Sequence, residues 1–90
     1  MRFEWDEKKN RGNIRKHGID FIDALDIFNH PMLTFYDGRE DYGEDRWLAL
    51  GWIKATMGVV VYVERHGDVM RIISARKATR NEVKRYEQSI

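Results

Sequence analysis

The last third of the chain contains the pattern that most constrains the fold. Residues 59–63 are β-branched or aromatic throughout, and residues 69–75 repeat an apolar pattern with Arg71 inside the run. Residues 66–68, with the sequence HGD, are typical of a tight turn. We predict that residues 59–63 and 69–73 form adjacent antiparallel central strands. Four aliphatic side chains should be deeply buried there: Val60, Val61, Ile72 and Ile73.

A helix is predicted directly after these two strands. Thr79 and Glu82 form the pattern T-x-x-E of a capping box, in which each side chain accepts a hydrogen bond from the other residue's backbone N–H. The sequence therefore predicts a C-terminal helix that begins after Thr79 and carries Tyr86.

The N-terminal third predicts a short strand and two helices. Phe3 and Trp5 favour a first strand with its apolar side inward. Asp6 is a good N-cap for a charged helix, and Gly18 is suited to the left-handed position after its end. Asp20 would cap a second helix, which Pro31 would end. The apolar face of this second helix would consist of Phe21, Leu25 and Phe28.

Two further strands are predicted in the middle of the chain. Residues 32–36 form a short apolar run and residues 46–53 alternate, while the polar loop 37–45 between them contains five acids and one arginine. The element order is β-α-α-β-β-β-β-α. Short connections favour an antiparallel meander with the helices on one face. We predict an α+β fold in a single domain, residues 1–90, with about four sheet strands plus the short N-terminal strand.

The sequence lacks the features of several functional classes. The chain has no cysteine, which excludes disulfides, a thiolate nucleophile and cysteine-based metal sites. No signal peptide and no apolar run of membrane-spanning length is present, so we expect a cytoplasmic protein. Motifs of nucleoside-triphosphate, dinucleotide and zinc-protease sites are missing, and the acidic loop lacks EF-hand spacing. We expect no metal and no cofactor.

Charge is distributed unevenly along the chain, although its net value is only +1. Residues 1–17 contain six Lys or Arg against three acids, and residues 65–85 contain seven against two. Residues 18–45 contain one Arg against eight acids. Two interpretations follow: a solvated surface of mixed sign, or two basic segments that meet around a phosphate-bearing ligand.

Several motifs along the chain carry a family resemblance. They are F-E-W-D-E-K-K-N at residues 3–10, K-H-G at 16–18, D-Y-G-E-D-R at 41–46 leading into L-A-L-G at 48–51, and R-I-I-S-A-R-K-A-T at 71–79. In this order, over nearly the whole chain, they resemble the BrnT family, the toxins of type II toxin–antitoxin modules. The long acidic loop and the near-neutral net charge depart from the more basic character typical of RelE-like ribonucleases.

The resemblance implies a fold, an activity and a partner. The fold would be a RelE-like compact α+β domain, and the activity would be ribonuclease cleavage of RNA that halts translation. Neutralisation would come from a BrnA antitoxin with a ribbon-helix-helix DNA-binding part. Operator DNA would then be bound only indirectly, through the antitoxin.

Metal-free RNA cleavage makes three demands on side chains. One group takes the 2′-hydroxyl proton, one protonates the leaving 5′-oxygen, and cations stabilise the charge of the transition state. Histidine titrates near neutrality, and arginine grips phosphate with a planar fork. On these grounds, and because the family resemblance includes the K-H-G and D-R positions, the candidate catalytic residues are His17, Arg46, Arg76 and Tyr86.

Three of these candidates also have a purely structural alternative. His17 stands where it would end the first helix and interact with its C-terminus. Arg46 would form an ion pair with an acid of the preceding loop, and Tyr86 would pack in the core. Alternation along the predicted strand places Arg71 and Arg76 on opposite faces of the sheet. The predicted RNA-contacting cations are Lys8, Lys9, Arg65, Arg71, Lys77 and Arg80.

Two functions from different classes fit these features. The first is a metal-independent endoribonuclease toxin, and the second is a non-catalytic module that only binds an antitoxin. An acidic protein segment and an RNA backbone require the same arginines, so the charge pattern fits both. In either case we expect the antitoxin to cover the basic surface that includes Arg76.

Overall fold

The computed structural model describes all residues, 1–90, and contains one five-stranded sheet with three helices. The strands are β1 (Arg2–Glu4), β2 (Met32–Asp37), β3 (Arg46–Ile53), β4 (Thr56–Arg65) and β5 (Val69–Lys77). The helices are α1 (Glu7–His17), α2 (Phe21–Ala24), which continues into a 3₁₀ turn (Leu25–Asn29), and α3 (Arg80–Ser89). The predicted element order and the α+β class are confirmed. No helix combines the length and the apolar character needed to cross a membrane.

The strands are arranged in the order β1-β5-β4-β3-β2. Strands β2 to β5 form the predicted antiparallel meander, and β4 and β5 are adjacent antiparallel partners as expected. Strand β1 pairs with β5 in the parallel sense. The chain therefore begins at one edge of the sheet and crosses, by α1 and α2, to β2 at the other edge.

The pairing of β4 with β5 shifts register at one residue. Val61 faces Ser74 whereas Tyr62 faces Ile72, so Ile73 has no partner in β4. Such a β-bulge inserts one residue and reverses the alternation of side chains beyond it. Val60, Val61 and Ile72 are buried as predicted. The prediction that Ile73 is deeply buried is wrong, because this bulge residue is only half-buried.

The bulge also places two arginines on the same face of the sheet. Arg71 pairs with Val63 and Arg76 pairs with Val59, and these two valines share a face because they are four residues apart in β4. The prediction that Arg71 and Arg76 lie on opposite faces is therefore wrong. We call the face that contains these two arginines the second face.

Apolar residues cover both faces of the sheet. Residues 57–63 of β4 are all buried, as expected for a strand that is packed from both sides. On the first face, Phe21 and Ile27 pack against the sheet, with Leu25 and Phe28 adjoining, so the predicted apolar helix face is confirmed. The members of this first-face cluster are Ile19, Phe21, Ala24, Ile27, Ala49, Ile53, Val60, Tyr62, Met70, Ile72 and Ala75.

Helix α3 packs on the second face. Tyr86 joins Leu50, Met57 and Val59 in a separate buried cluster, and Val83 packs against it. The prediction that all helices lie on one face is wrong, because both faces of β4 are apolar and each needs a covering element. The capping box of Thr79 and Glu82 is confirmed at the start of α3.

Helix α1 is attached to the sheet mainly by polar contacts. It has the predicted N-cap Asp6 and the predicted left-handed Gly18 at its end, but its Ile14 is exposed. The amide of Asn13 exchanges two hydrogen bonds with the backbone of Ala75, at 2.9 and 3.1 Å, as a neighbouring strand would. Asn10 accepts from the backbone N–H of Phe21 at 2.9 Å. Helix α1 thus lies along the edge of β5 beyond the end of β1.

Replacement of Asn13 should test this attachment. In Asn13→Ala the buried backbone N–H and C=O of Ala75 lose their partner, and each buried polar group left unpaired costs about 1–3 kcal/mol. We expect the free energy of unfolding, measured by urea denaturation, to fall by at least about 2 kcal/mol. The matched control is Asn81→Ala on the exposed side of α3. A loss below about 1 kcal/mol would show that α1 is held by other contacts.

Candidate functional site

Four arginines lie on the second face of the sheet, beside the area that α3 covers. Arg71 and Arg76 are placed there by the bulge, and Arg65 by its position two residues after Val63. Arg46 begins β3 and alternates onto the same face as Leu48 and Leu50. We call Arg46, Arg65, Arg71 and Arg76 the arginine face.

Carboxylates connect three of these arginines in a row. Glu44 lies 3.8 Å from Arg46 Nε and 3.5 Å from Arg65 Nη2. Glu4 lies 3.4 Å from Arg65 Nε and 3.7 Å from Arg71 Nη1. Partly exposed ion pairs of this kind contribute about 0–1 kcal/mol, so a more strongly charged ligand can displace them.

Arg76 is fixed by a bidentate ion pair with Glu82. Its Nη1 and Nη2 donate to the two carboxylate oxygens at 2.8 and 2.9 Å, and Nη1 also donates to the carbonyl of Lys77 at 3.2 Å. The Arg76 side chain lowers the pKa of Glu82 to about 2. Glu82 in turn raises the pKa of Arg76, against the opposing effects of its partial burial and of the nearby positive charge of Arg39.

One edge of the Arg76 guanidinium donates to no protein atom. A guanidinium carries five N–H donors, and Glu82 and Lys77 take both donors of Nη1 and one of Nη2. The Nε–H and the second Nη2–H remain, and they point in the same direction. This pair of donors has the fork geometry that binds two oxygens of a phosphate group.

Arg46 is held by an aromatic ring. Its guanidinium carbon lies 3.8 Å from the centre of the Tyr42 ring, a cation–π contact. Its side chain is 21 % exposed, and its Nε is buried with no hydrogen-bond partner. The Glu44 carboxylate, 3.8 Å from this Nε, neutralises its charge from beyond hydrogen-bond distance.

The acidic loop supplies one further ion pair close to the arginine face. Asp37 is buried and receives two hydrogen bonds from the Arg39 side chain, at 2.8 and 2.9 Å, which lower the pKa of this carboxyl group. Arg46 stands opposite Asp37 in the register of β2 and β3 and adds to the same effect. The sequence pattern did not single out Asp37 or Arg39, because ion pairs within an irregular loop have no fixed spacing.

The other sequence candidates lie elsewhere. His17 is the half-buried last residue of α1, and Lys8 and Lys9 are exposed on the same helix, so all three stand beside the sheet edge. Lys77 is exposed at the end of β5, and Arg80 is exposed in the first turn of α3. These five residues are therefore not part of the arginine face.

Tyr86 occupies a packed position in α3. Its side chain is buried in the second-face cluster, and its hydroxyl donates to the carbonyl of Pro31 at 2.8 Å. This contact joins α3 to the start of β2, which matches the structural alternative for this residue. No group of three or more His, Asp and Glu side chains is arranged to hold a metal ion.

The comparison with protein families decides what kind of protein carries this site. The family model described as the ribonuclease toxin, BrnT, of a type II toxin–antitoxin system matches residues 5–82. The chain belongs to the BrnT family. The matched range contains the whole arginine face and Glu82, and type II membership implies a protein antitoxin as partner.

A solved structure supports the same assignment. The crystal structure of the Brucella abortus ribonuclease toxin BrnT matches with a TM-score of 0.72 and 28 % sequence identity. The match covers 89 % of this chain and 99 % of that chain. A comparison with curated proteins found no match. The family resemblance of the sequence motifs is thus confirmed.

Glu82 should make stability depend on acid pH. Its pKa is lowered from 4.5 to about 2, so its contribution is present above about pH 4.5 and is lost as pH falls towards 2. We expect the wild type to lose on the order of 1 kcal/mol more stability than Glu82→Gln over this range, since Glu82 is partly exposed. Urea denaturation at several pH values measures this difference. The control is Glu87→Gln, at an exposed site on α3. Parallel pH curves for wild type and Glu82→Gln would contradict the assignment.

Proposed function

We propose that this chain is a metal-independent endoribonuclease that cleaves RNA and thereby inhibits translation. The observation that carries the proposal is the free edge of Arg76, where two guanidinium donors on the second face of the sheet have no protein partner. Its family is that of ribonuclease toxins, which sets the class of reaction.

The chemistry assigned to the arginine face is stabilisation of charge. In RNA cleavage of this type the 2′-hydroxyl loses its proton as its oxygen bonds to phosphorus, the bond from phosphorus to the 5′-oxygen breaks, and the departing 5′-oxygen takes up a proton. Negative charge accumulates on the non-bridging oxygens at the transition state. Preorganised donors aimed at those oxygens lower the barrier without any reorganisation. Arg76 is preorganised in this sense because Glu82 holds its guanidinium from the opposite edge.

The remaining cations are proposed to hold the flanking RNA. Arg65 and Arg71 would release their weak ion pairs with Glu4 and bind RNA phosphates instead. Exposed cations on the surrounding surfaces would add long-range attraction to RNA: Lys8, Lys9, Lys77 and Arg80. Proton transfer by His17 and Tyr86 stays a prediction, since neither side chain stands on the arginine face.

Substitution of Arg76 should test its contribution to RNA cleavage. We expect Arg76→Ala to reduce RNA cleavage by a factor on the order of 10²–10³, and Arg76→Lys to recover little, because a point charge lacks the fork. The measurement is the cleavage rate of total RNA in the presence of a chelator. The control Arg11→Ala removes an exposed cation from α1.

Two other outcomes of this experiment would count against the proposal. Wild-type protein that leaves RNA intact but captures its antitoxin would indicate a binding module without catalysis. Cleavage that stops on chelation would show that the reaction requires a metal ion.

The proposed partner is a BrnA-like ribbon-helix-helix antitoxin that covers the arginine face, and operator DNA is contacted only through it. Coverage of this surface would exclude RNA by steric and electrostatic means. Charge pairing across such an interface speeds association and is screened by salt.

The association rate should therefore depend on ionic strength through the arginine face. We expect the rate to fall steeply as salt rises for the wild type, and less steeply for an Arg71→Ala, Arg76→Ala double variant. Stopped-flow mixing of toxin and antitoxin at several salt concentrations measures both slopes. Equal rates and equal slopes would place the antitoxin on another surface.

A further inference from the structure

A small cleft opens beside Arg76, between α3 and the strands of the second face. Its volume is about 240 Å³. Aliphatic side chains of β3 and β4 and an aromatic ring of β2 meet two charged residues of α3 there. The lining residues are Phe35, Leu48, Leu50, Val59, Glu82 and Arg85.

The chemistry of this lining suits a flat, unsaturated ring. The guanidinium carbon of Arg85 lies 4.4 Å from the centre of the Phe35 ring, so the guanidinium stacks on this ring. Aromatic rings and guanidinium planes are the surfaces on which proteins stack nucleic-acid bases.

The cleft is also adjacent to the proposed phosphate-binding arginine. Glu82 lines the cleft and is the bidentate partner of Arg76, and Val59 lines it and is the β4 partner of Arg76. A phosphate on the free edge of Arg76 and a ring in the cleft are therefore close enough to belong to one nucleotide or to two neighbouring ones.

We propose that this cleft binds one nucleobase of the RNA next to the phosphate held by Arg76. This inference rests on the proposed ribonuclease function and extends it to recognition of the substrate. The guanidinium of Arg85, oriented by its contact with the Phe35 ring, forms the stacking surface, and Leu48 and Leu50 exclude water from the base.

Nuclear magnetic resonance of the full chain tests the inference without any cleavage. The probes are the four nucleoside 5′-monophosphates and ribose 5-phosphate, which lacks a base. We expect the nucleotides to shift the signals of Phe35, Leu48 and Val59, and ribose 5-phosphate to leave these signals in place.

Two substitutions and their controls sharpen the test. Phe35→Leu keeps an apolar side chain under α3 but removes the ring that orients the Arg85 guanidinium, and Arg85→Gln removes the guanidinium itself. Each should weaken nucleotide binding at least about fivefold, as expected for loss of base stacking. The controls are Tyr36→Leu, a 58 % exposed neighbour whose side chain lies on the first face, and Arg11→Gln. Both controls should bind nucleotides as the wild type does.

The outcomes distinguish an error in the proposed base-binding cleft from an error in the proposed ribonuclease function. Equal binding of ribose 5-phosphate and nucleotides, or unchanged affinity in Phe35→Leu, overturns the inference even if RNA is cleaved. If the nucleotides leave the cleft signals unmoved while purified antitoxin shifts them, the cleft belongs to a protein interface and the inference is again overturned. Base-dependent shifts that vanish in Phe35→Leu support it even if RNA stays intact.

Discussion

The bulge at Ile73 is the constraint on which the rest of this structure depends. Strand β5 must present apolar residues to the first-face core both before and after the bulge, and Ile72 and Ala75 do so although they are three residues apart. Without the extra residue, strict alternation would turn one of these two residues out of the core. The same insertion keeps Arg71 and Arg76 together on the second face. One local irregularity thus completes the core and assembles the arginine face.

Helix α3 connects stability to the site. Glu82 closes the capping box with Thr79, accepts from both terminal nitrogens of Arg76, and lines the cleft beside it. At the other end of the helix, Tyr86 bonds the carbonyl of Pro31 and closes the second-face cluster. The position of the Arg76 guanidinium therefore depends on where α3 starts. A change that frays the first turn of α3 would disturb the site even if it never touched an arginine.

Local signals explain what the sequence could predict, and non-local ones explain what it could not. Caps, turns and strand runs depend on residues within a few positions of one another, so Asp6, Gly18 and the Thr79–Glu82 box were all found correctly. The bulge has no such signal, because Ile73 fits a regular strand equally well. The attachment of α1 was also not predictable, since Asn13 bonds Ala75, 62 residues away. Arg76 lies at the end of β5 and Glu82 in the first turn of α3. The periodicity of the sequence does not give the angle between this strand and this helix, so their ion pair was not predictable.

The near-neutral net charge of +1 is compatible with RNA binding once the partners of the arginines are considered. Each arginine of the arginine face has a carboxylate near it, and those carboxylates come from β1, the loop before β3 and α3. Such pairs keep the free protein from presenting a large field of one sign. The pairs made by Glu4 and Glu44 are partly exposed and weak, so a polyanion that binds several arginines at once can displace them, whereas Glu82 keeps Arg76 in place. The acidic residues thus serve as internal counter-ions, and the free edge of Arg76 is the position at which we propose that the first phosphate binds.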